Sequence, residues 1–538
     1  MRFALFFTLT LTSLSLAISA TIYVPDNYAT IQNAINASSN GDIVIVRSGT
    51  YMENISFVGK AITLKSEMGF GSTVIDGGQA SSVIQFMNEE GPGSVLDGFT
   101  ITNGKANRGG GIYCYVFTSP TITNNLIIKN IAQQPIEESR GGGIHLNGAS
   151  PTISNNYISY NNADFGSGIC YGNNSRGTIS GNYISENGKS TSDRRGGGIM
   201  LEEYSRPYLS DNIFKGNAAG YGGGIYATDN CDDRILRCSF IENRAGQRGG
   251  GLYTYGCRPP VKQCEFSGNV SSYYGGAIHI ENGDLAISQC IFFNNSATNR
   301  GGALYNKGAS QIINCTFYGN SSTSGGAMFN EDNPSLINCI LWNNIPDEIK
   351  DSSNSSIVSH CCVLNGWPGI GNFSTDPLIV DPVAGDFHIY WSSPCRDTGD
   401  NLAVWDSCDF EDDPRTAQDI VDVGADEFYY HLYHTGDVLP GATIELKVTG
   451  NPSSPIRLFL GTGIQDPPLG TQYGDLYIQW PPLWSTSIGM IPGDGLLKLP
   501  VKVPGVWSTG SSHPLQALVG PLGGGTTTLT NLMSLTVE

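Results

Sequence analysis

Two adjacent carboxylates, Asp232 and Asp233, are followed by Arg234 and, one repeat later, by Arg258. Hydrolysis of a glycosidic bond needs two carboxylates meeting on one face. Neighbours on a strand point to opposite faces, so this pair serves only at a turn. A lyase would instead use a basic side chain to take a proton, with calcium neutralising a uronate. Asp232, Arg234 and Arg258 are the catalytic candidates for that chemistry. A second set recurs at one register: Arg195, Tyr221, Arg248, Tyr274 and Arg300 alternate cation and aromatic. Guanidinium on an aromatic face is worth about 0.5–1 kcal/mol when exposed. The alternation therefore fits either a self-stabilising ladder or a groove in which Arg pairs with carboxylate or sulfate and Tyr stacks on sugar. A third set comprises Tyr113, His145, Cys170, Met200, Tyr226, Tyr253, His279, Tyr305 and Phe329. It directly follows an apolar register, so it is expected to point outward, with Tyr226, Tyr253 and Tyr305 as further ligand-binding candidates. His145 and His279 are five repeats apart, about 24 Å at the spacing of stacked strands, and cannot share a metal.

Cysteine and carboxylate chemistry is less defined. The chain has 13 cysteines. Cys238, Cys264, Cys290, Cys315 and Cys339 share a register that reads as a buried column of small side chains. Cys231 and Cys257 share another, and the four-thiolate zinc alternative has the wrong spacing for a zinc knuckle. Cys395 with Cys408 is the best disulfide candidate. Asp409, Asp412 and Asp413 lie in a carboxylate-dense segment that reads either as a calcium site or as charged turns with Arg415 as partner.

All these registers come from one repeat. A Gly-Gly-Gly/Ala pattern ends at Gly111, Gly143, Gly168, Gly198, Gly224, Gly251, Ala277, Ala303 and Ala327, with steps of 24 to 32 residues between those positions. Such a period means stacked supersecondary units. A second marker follows: Asn125, Asn156, Asn182 and Asn212, then the cysteines. Between markers, stretches such as Thr121-Ile122-Thr123 alternate polar and apolar, as half-buried strands do. Three short strands fit each repeat and helices do not, so the expected fold is all-β: a parallel β-helix solenoid. Ile112, Ile144, Ile169, Ile199, Ile225, Leu252, Ile278, Leu304 and Met328 are its inward column. Paired glycines turn where a Cβ would clash, and stacked Asn forms a ladder. Residues 28–35 read as a short amphipathic helix covering the N-terminal end.

The ends differ. Met1-Arg2, an apolar run to Leu16 and small residues to Ala20 read as a signal peptide, 1–20. Residues 21–428 are assigned to the solenoid with its cap, 429–435 to a linker and 436–538 to a small β-sandwich. That last piece reads equally as a carbohydrate-binding module or a structural cap, and Trp480, Trp484 and Trp507 as sugar platforms or core. The net charge of -19 argues against nucleic acid and anionic membrane as partners. No later run is long and apolar enough for a transmembrane helix. The sequence says nothing of oligomeric state.

Val24-Pro25, Thr30-Ile31-Gln32, Gly41-Asp42, Gly49-Thr50-Tyr51 and Val74-Ile75-Asp76-Gly77 resemble the opening coils of pectin-lyase-like right-handed β-helices. Phe-x-x-Asn after the glycines, at Phe214–Asn217, Phe240–Asn243, Phe266–Asn269, Phe292–Asn295 and Phe317–Asn320, is similar to the repeats of chlamydial polymorphic outer-membrane proteins, which are surface adhesins. Asp386-Phe387-His388, Ser393-Pro394-Cys395 and Asp422-Val423-Gly424-Ala425 resemble the end of many secreted bacterial β-helix proteins. These resemblances imply a right-handed helix and an exported protein. The patterns of the polygalacturonase, pectate lyase, pectin methylesterase and alginate epimerase families are not present. The expected function is non-catalytic recognition or adhesion at or outside the cell surface, with a polysaccharide or another surface as ligand. The alternatives are a polysaccharide lyase or hydrolase acting on an acidic glycan, and a structural envelope protein.

Overall fold

The computed structural model describes residues 19–133, 138–189, 193–232, 234–415 and 420–428, and beyond them the backbone of strands between Leu432 and Thr536. Most of the expected signal peptide, Asp233, Trp480 and Trp507 lie outside the described residues, as does the side chain of Trp484. Chain contacts define two units, one of residues 1–234 with 241–257, the other of 235–240 with 258–538.

In the first unit every coil gives one short strand to each of three parallel sheets. The register is in step: Ile112 pairs with Ile144, Ile144 with Ile169, Ile169 with Ile199, Ile199 with Ile225, and Ile225 with Leu252. Each of these side chains is fully buried, as expected for the inward column. Full burial of such a side chain contributes about 1.5–3 kcal/mol, so one coil adds a unit of core as well as a set of ladder hydrogen bonds. The N-terminal helix α1 is Ile31–Ala37. The Thr30 side chain caps it by accepting from the Asn33 N–H, and Glu53 accepts from the N–H groups of Ile31 and Gln32 at 2.9 and 3.0 Å. It buries Ile31, Ala34 and Ile35 and packs on the strands Thr21–Val24, Ile43–Val46 and Ile55–Ser56.

Buried asparagines close the coils. The N–H of Asn130 donates to Asn161 Oδ1 at 3.0 Å, and its Nδ2 donates to Ile101 O at 2.9 Å and to Asn161 Oδ1 at 3.1 Å. The arrangement recurs through Asn187, Asn217 and Asn243. Asn125, Asn156, Asn182 and Asn212 form a parallel file. Each carboxamide satisfies turn groups that strand pairing leaves orphaned.

The second unit repeats the plan, with Ile278 on Leu304 and Leu304 on Met328. Its Phe-x-x-Asn motif has a simple account. Phe240, Phe266, Phe292 and Phe317 stack inside at 4.5, 4.9 and 4.5 Å, while the Asn three residues on joins a ladder. The column that reads Asn in the first unit reads Cys here and keeps the geometry with weaker acceptors: the N–H groups of Cys238 and Cys264 point at the next sulfur, at 3.5 and 3.4 Å. All 13 cysteines are free thiols, so the expected Cys395–Cys408 disulfide is absent. Cys395 is instead buried beside Cys362, Ile389 and Val423.

The asparagine ladder of this unit ends on a carboxylate. Asn344 donates its N–H to Glu348 Oε1 at 3.2 Å and its Nδ2 to Glu348 Oε2. Burial, opposed by the two Asn344 bonds, pushes the Glu348 carboxyl up from its ordinary 4.5 to about 7. A carboxyl raised on folding is harmless while it is protonated in both states. Its cost grows as pH rises from 4.5 to about 7, to roughly 3 kcal/mol. Glu348→Gln is therefore expected to flatten the decline in stability across that interval, measured by urea unfolding at several pH values. A variant with the parental slope would show that this carboxyl is not the cause.

Residues 376–415 and 420–428 fold back onto the outside of this unit. Strands Ile379–Asp381 and Asp386–Ile389 form an antiparallel hairpin. Phe387 and Ala425 pack on Ile291, and Ile389, Cys395, Val423 and Phe428 on Ile340 and Cys362. Beyond 428 the strands are antiparallel, in sheets of three and five and a separate pair. The first of them, Leu432–Thr435, lies within the expected linker and pairs with Thr443–Thr449.

Candidate functional site

On the first unit, strands Ile199–Leu201, Ile225–Thr228 and Leu252–Tyr255 stand side by side. Their outward side chains, with the residues just before the glycine turns, line an open cleft of about 450 Å³. Five sequence candidates meet there: Arg195, Tyr221, Tyr226, Arg248 and Tyr253. Arg195 pairs in register with Tyr221, and Tyr221 with Arg248, as stacked coils require. The Arg195 guanidinium lies 5.2 Å from the Phe165 ring centre and 5.7 Å from that of Tyr226, and Arg140 sits 5.2 Å from the same Phe165. One aromatic ring thus carries two cations, and the outer one, Arg195, stays exposed.

The aromatic column, expected to point outward, is closed by stacking. It does point away from the solenoid interior, but Cys170, Met200, Tyr226 and Tyr253 are buried together with Phe165. Tyr226 and Tyr253 stack at 4.9 Å with planes 5° apart, and the Tyr221 ring meets Tyr253 edge-on at 5.6 Å. Alternation fixes the side of the sheet; neighbours in adjacent coils decide exposure. The ring faces are therefore taken up by one another, and the cleft is presented with their edges and hydroxyls. Burial raises the Tyr226 hydroxyl, and Arg195 pulls against that shift. The Tyr221 hydroxyl donates to Gln247 Oε1 at 2.6 Å.

Sequence reasoning missed four further lining residues, Glu202, Thr228, Asp229 and Tyr255. Glu202, Thr228 and Tyr255 lie three positions after Ile199, Ile225 and Leu252 of the inward column, so the same alternation that sets out Tyr226 sets them out too. Glu202 is buried and ion-paired with Arg140. Asp229 and Tyr255 are exposed. His145, two coils before Met200 in the same column, stacks on Tyr113 at 5.6 Å and is pushed down to about 3 by burial and then by Arg108 and Arg140. It is neutral at physiological pH.

The other candidates lie elsewhere. In the second unit Arg300 sits 5.8 Å from the Tyr274 ring, 4.6 Å from Phe329 and 3.2 Å from Glu331, while Tyr305 stacks on Tyr274 and His279 at 4.8 and 4.7 Å. That stretch is largely self-engaged. Asp232 lies 3.8 Å from Arg206, and Arg258 lies 3.4 Å from Asp284. Neither these two nor Arg234 lines the cleft. The calcium candidates do not converge. Asp409 accepts from the N–H groups of Glu411, Asp413 and Glu427, each at 2.9 Å, and Asp412 accepts from Gln263 at 2.7 Å. Arg415 is buried and donates to the carbonyls of Ala425 and Gly424, with Glu427 Oε2 3.9 Å away. Among the described residues no group of thiolates is placed to share a metal.

Residues 97–269 match the family described as right handed beta helix region. That stretch is a right-handed β-helix. Residues 263–281 and 289–307 of the β-helix protein also match the Chlamydia polymorphic membrane protein repeat. No curated protein matches the chain. Among solved structures, it is similar to an alginate lyase from Paenibacillus sp. at 13% identity and a TM-score of 0.28, over 63% of this chain and 97% of that one. It is also similar to a tailspike protein of Bacteriophage CBA120 at 12% and 0.32, over 92% and 64%. A family 28 exopolygalacturonase from Yersinia enterocolitica aligns at 11% and 0.23, over 64% and 78%. At these scores the likenesses carry no activity across. Among the described residues no helix is long and apolar enough to cross a membrane.

Proposed function

We propose that the β-helix recognises a glycan, without cutting it, in the cleft at Arg195, Tyr221 and Arg248. The observation that carries this reading is that two guanidinium side chains border one open cleft whose floor is a packed wall of tyrosines. Guanidinium is suited to carboxylate or sulfate through paired N–H donors. A rigid sheet supports it better than a loop would, because the rungs fix the spacing of the two charges. The apolar run from Phe3 to Leu16, read as part of a signal peptide over 1–20, supports a site of action at or outside the cell surface.

The test is a glycan array on the purified chain with and without calcium, reading bound sugar and newly formed unsaturated ends together. Uronate or sulfated oligosaccharides are expected to bind without new ends. Arg195→Ala and Arg248→Ala are each expected to weaken binding about tenfold, or about 1.4 kcal/mol. Binding unchanged in both variants would remove the cleft from consideration. A second reading, cleavage of an acidic glycan, is favoured by Glu202 and Asp229 lining the same cleft as the arginines. New chain ends lost on Glu202→Gln would support it. No binding and no product would leave a structural envelope role.

A further inference from the structure

The hairpin strand Asp386–Ile389 and the turns of residues 409–415 and 420–428 bring three ligand-type side chains face to face. His388 Nε2 lies 3.3 Å from Glu411 Oε2, and the donor atoms of His388, Glu411 and Asp426 all lie within 4.8 Å of one another. Asp426 is only 7% exposed, yet among the described residues neither of its carboxylate oxygens has a hydrogen-bond partner. A buried carboxylate normally finds donors or a cation. On the far side of the imidazole, Asp386 Oδ1 lies 2.7 Å from His388 Nδ1. With a metal ion bound, that contact would hold the ring proton on Nδ1 and leave Nε2, on the side of Glu411, as the ligand atom, the carboxylate–histidine arrangement that orients metal-binding imidazoles.

We propose that His388, Glu411 and Asp426 bind a divalent transition-metal ion, Zn2+ foremost. One imidazole nitrogen with two carboxylate oxygens is a zinc ligand set. Calcium takes six to eight oxygens, which this site does not offer. Bonds of about 2.0–2.2 Å hold tetrahedral ligand atoms about 3.4 Å apart. The His388–Glu411 pair already has that spacing, and a modest rotation of Asp426 completes the set. The Glu411 side chain is 38% exposed, which gives an ion a way in and leaves a fourth position for water. The ion would tie the turns that carry Glu411 and Asp426 to the hairpin strand, beside the packed residues Phe387 and Ala425. Asp409 is no ligand here; it accepts from the N–H groups of Glu411 and Glu427 and so holds the turns that carry Glu411 and Asp426.

The experiment uses the full chain, stripped with EDTA and dialysed, and titrated with Zn2+ alone by calorimetry, with Ca2+ in a parallel cell. One equivalent of Zn2+ is expected, with Tm raised by roughly 5 °C at hundred-fold excess over Kd. Zinc-edge absorption should show nitrogen and oxygen neighbours without sulfur. His388→Gln and Asp426→Asn should each weaken binding at least tenfold. Absence of zinc uptake, equal uptake of Ca2+, or sulfur in the first shell from the free cysteines would overturn the proposal. Where a variant does not fold, the absorption spectrum of the parent protein decides alone.

Discussion

Gly302→Ala is expected to abolish or cripple folding of the second unit, at a cost on the order of 5 kcal/mol or more. A Cβ built at Gly302 would stand 2.2 Å from Gly326 O and 2.6 Å from both the N and the O of Ser321. All three are backbone atoms held by neighbouring coils, so none can swing aside. The next position is different: Ala303 is an alanine already, and Ala303→Gly is expected to cost only about 1 kcal/mol. The sequence contains its own exception. The middle glycine of the pattern is replaced once, by Ser167, and the residue after the ladder asparagine is glycine once, at Gly188. The two belong to one coil, and a Cβ built at Gly188 would come 3.0 Å from Ser167 Oγ. Gly188 adopts φ 81°, which spares that coil the contact. Ser321→Gly is accordingly expected to recover part of the Gly302→Ala loss. Circular dichroism with urea unfolding of the three variants measures this, and a Gly302→Ala protein of parental stability would refute the packing argument.

Asn295→Ala is expected to cost about 3–5 kcal/mol, by leaving buried groups unpaired. Asn295 Oδ1 accepts from Asn269 N and Nδ2, both at 2.9 Å, and its Nδ2 donates to Phe266 O at 2.8 Å and Asn320 Oδ1 at 2.9 Å. All four residues are fully buried, so water replaces these partners poorly. Cys264→Ala at the sulfur column is the contrast. Its sulfur receives one N–H at 3.5 Å, and roughly 1–2 kcal/mol is expected. Equal losses in the two unfolding curves would mean that the amide file is no stronger than the thiol file.

Much of the frame was legible from the chain. The Gly-Gly period, the inward Ile column and the step from Asn to Cys each follow from one residue per coil, and stacking turns such a period directly into a column. The candidate cleft was half legible: Arg195, Tyr221 and Arg248 announce themselves by alternation. Glu202 and Asp229 do not, since nothing at their register repeats. The burial of Tyr226 and Tyr253 was also hidden, because exposure is decided by side chains from other coils. His388, Glu411 and Asp426 lie outside the repeat, and only the tertiary fold of residues 376–428 makes them neighbours.

The amide file in each unit runs one way. Each carboxamide oxygen accepts from the coil before, while Nδ2 donates both back to a strand carbonyl of that coil and on to the next carboxamide, so a whole coil added or removed within the file leaves both neighbours satisfied. The unmatched donors gather at the far end of the second unit, where Glu348 accepts them. Coil number is thereby open to change by duplication or deletion at little polar cost, while the terminator is not. A file of this design can gain or lose coils within the second unit, provided that its last rung keeps its carboxylate.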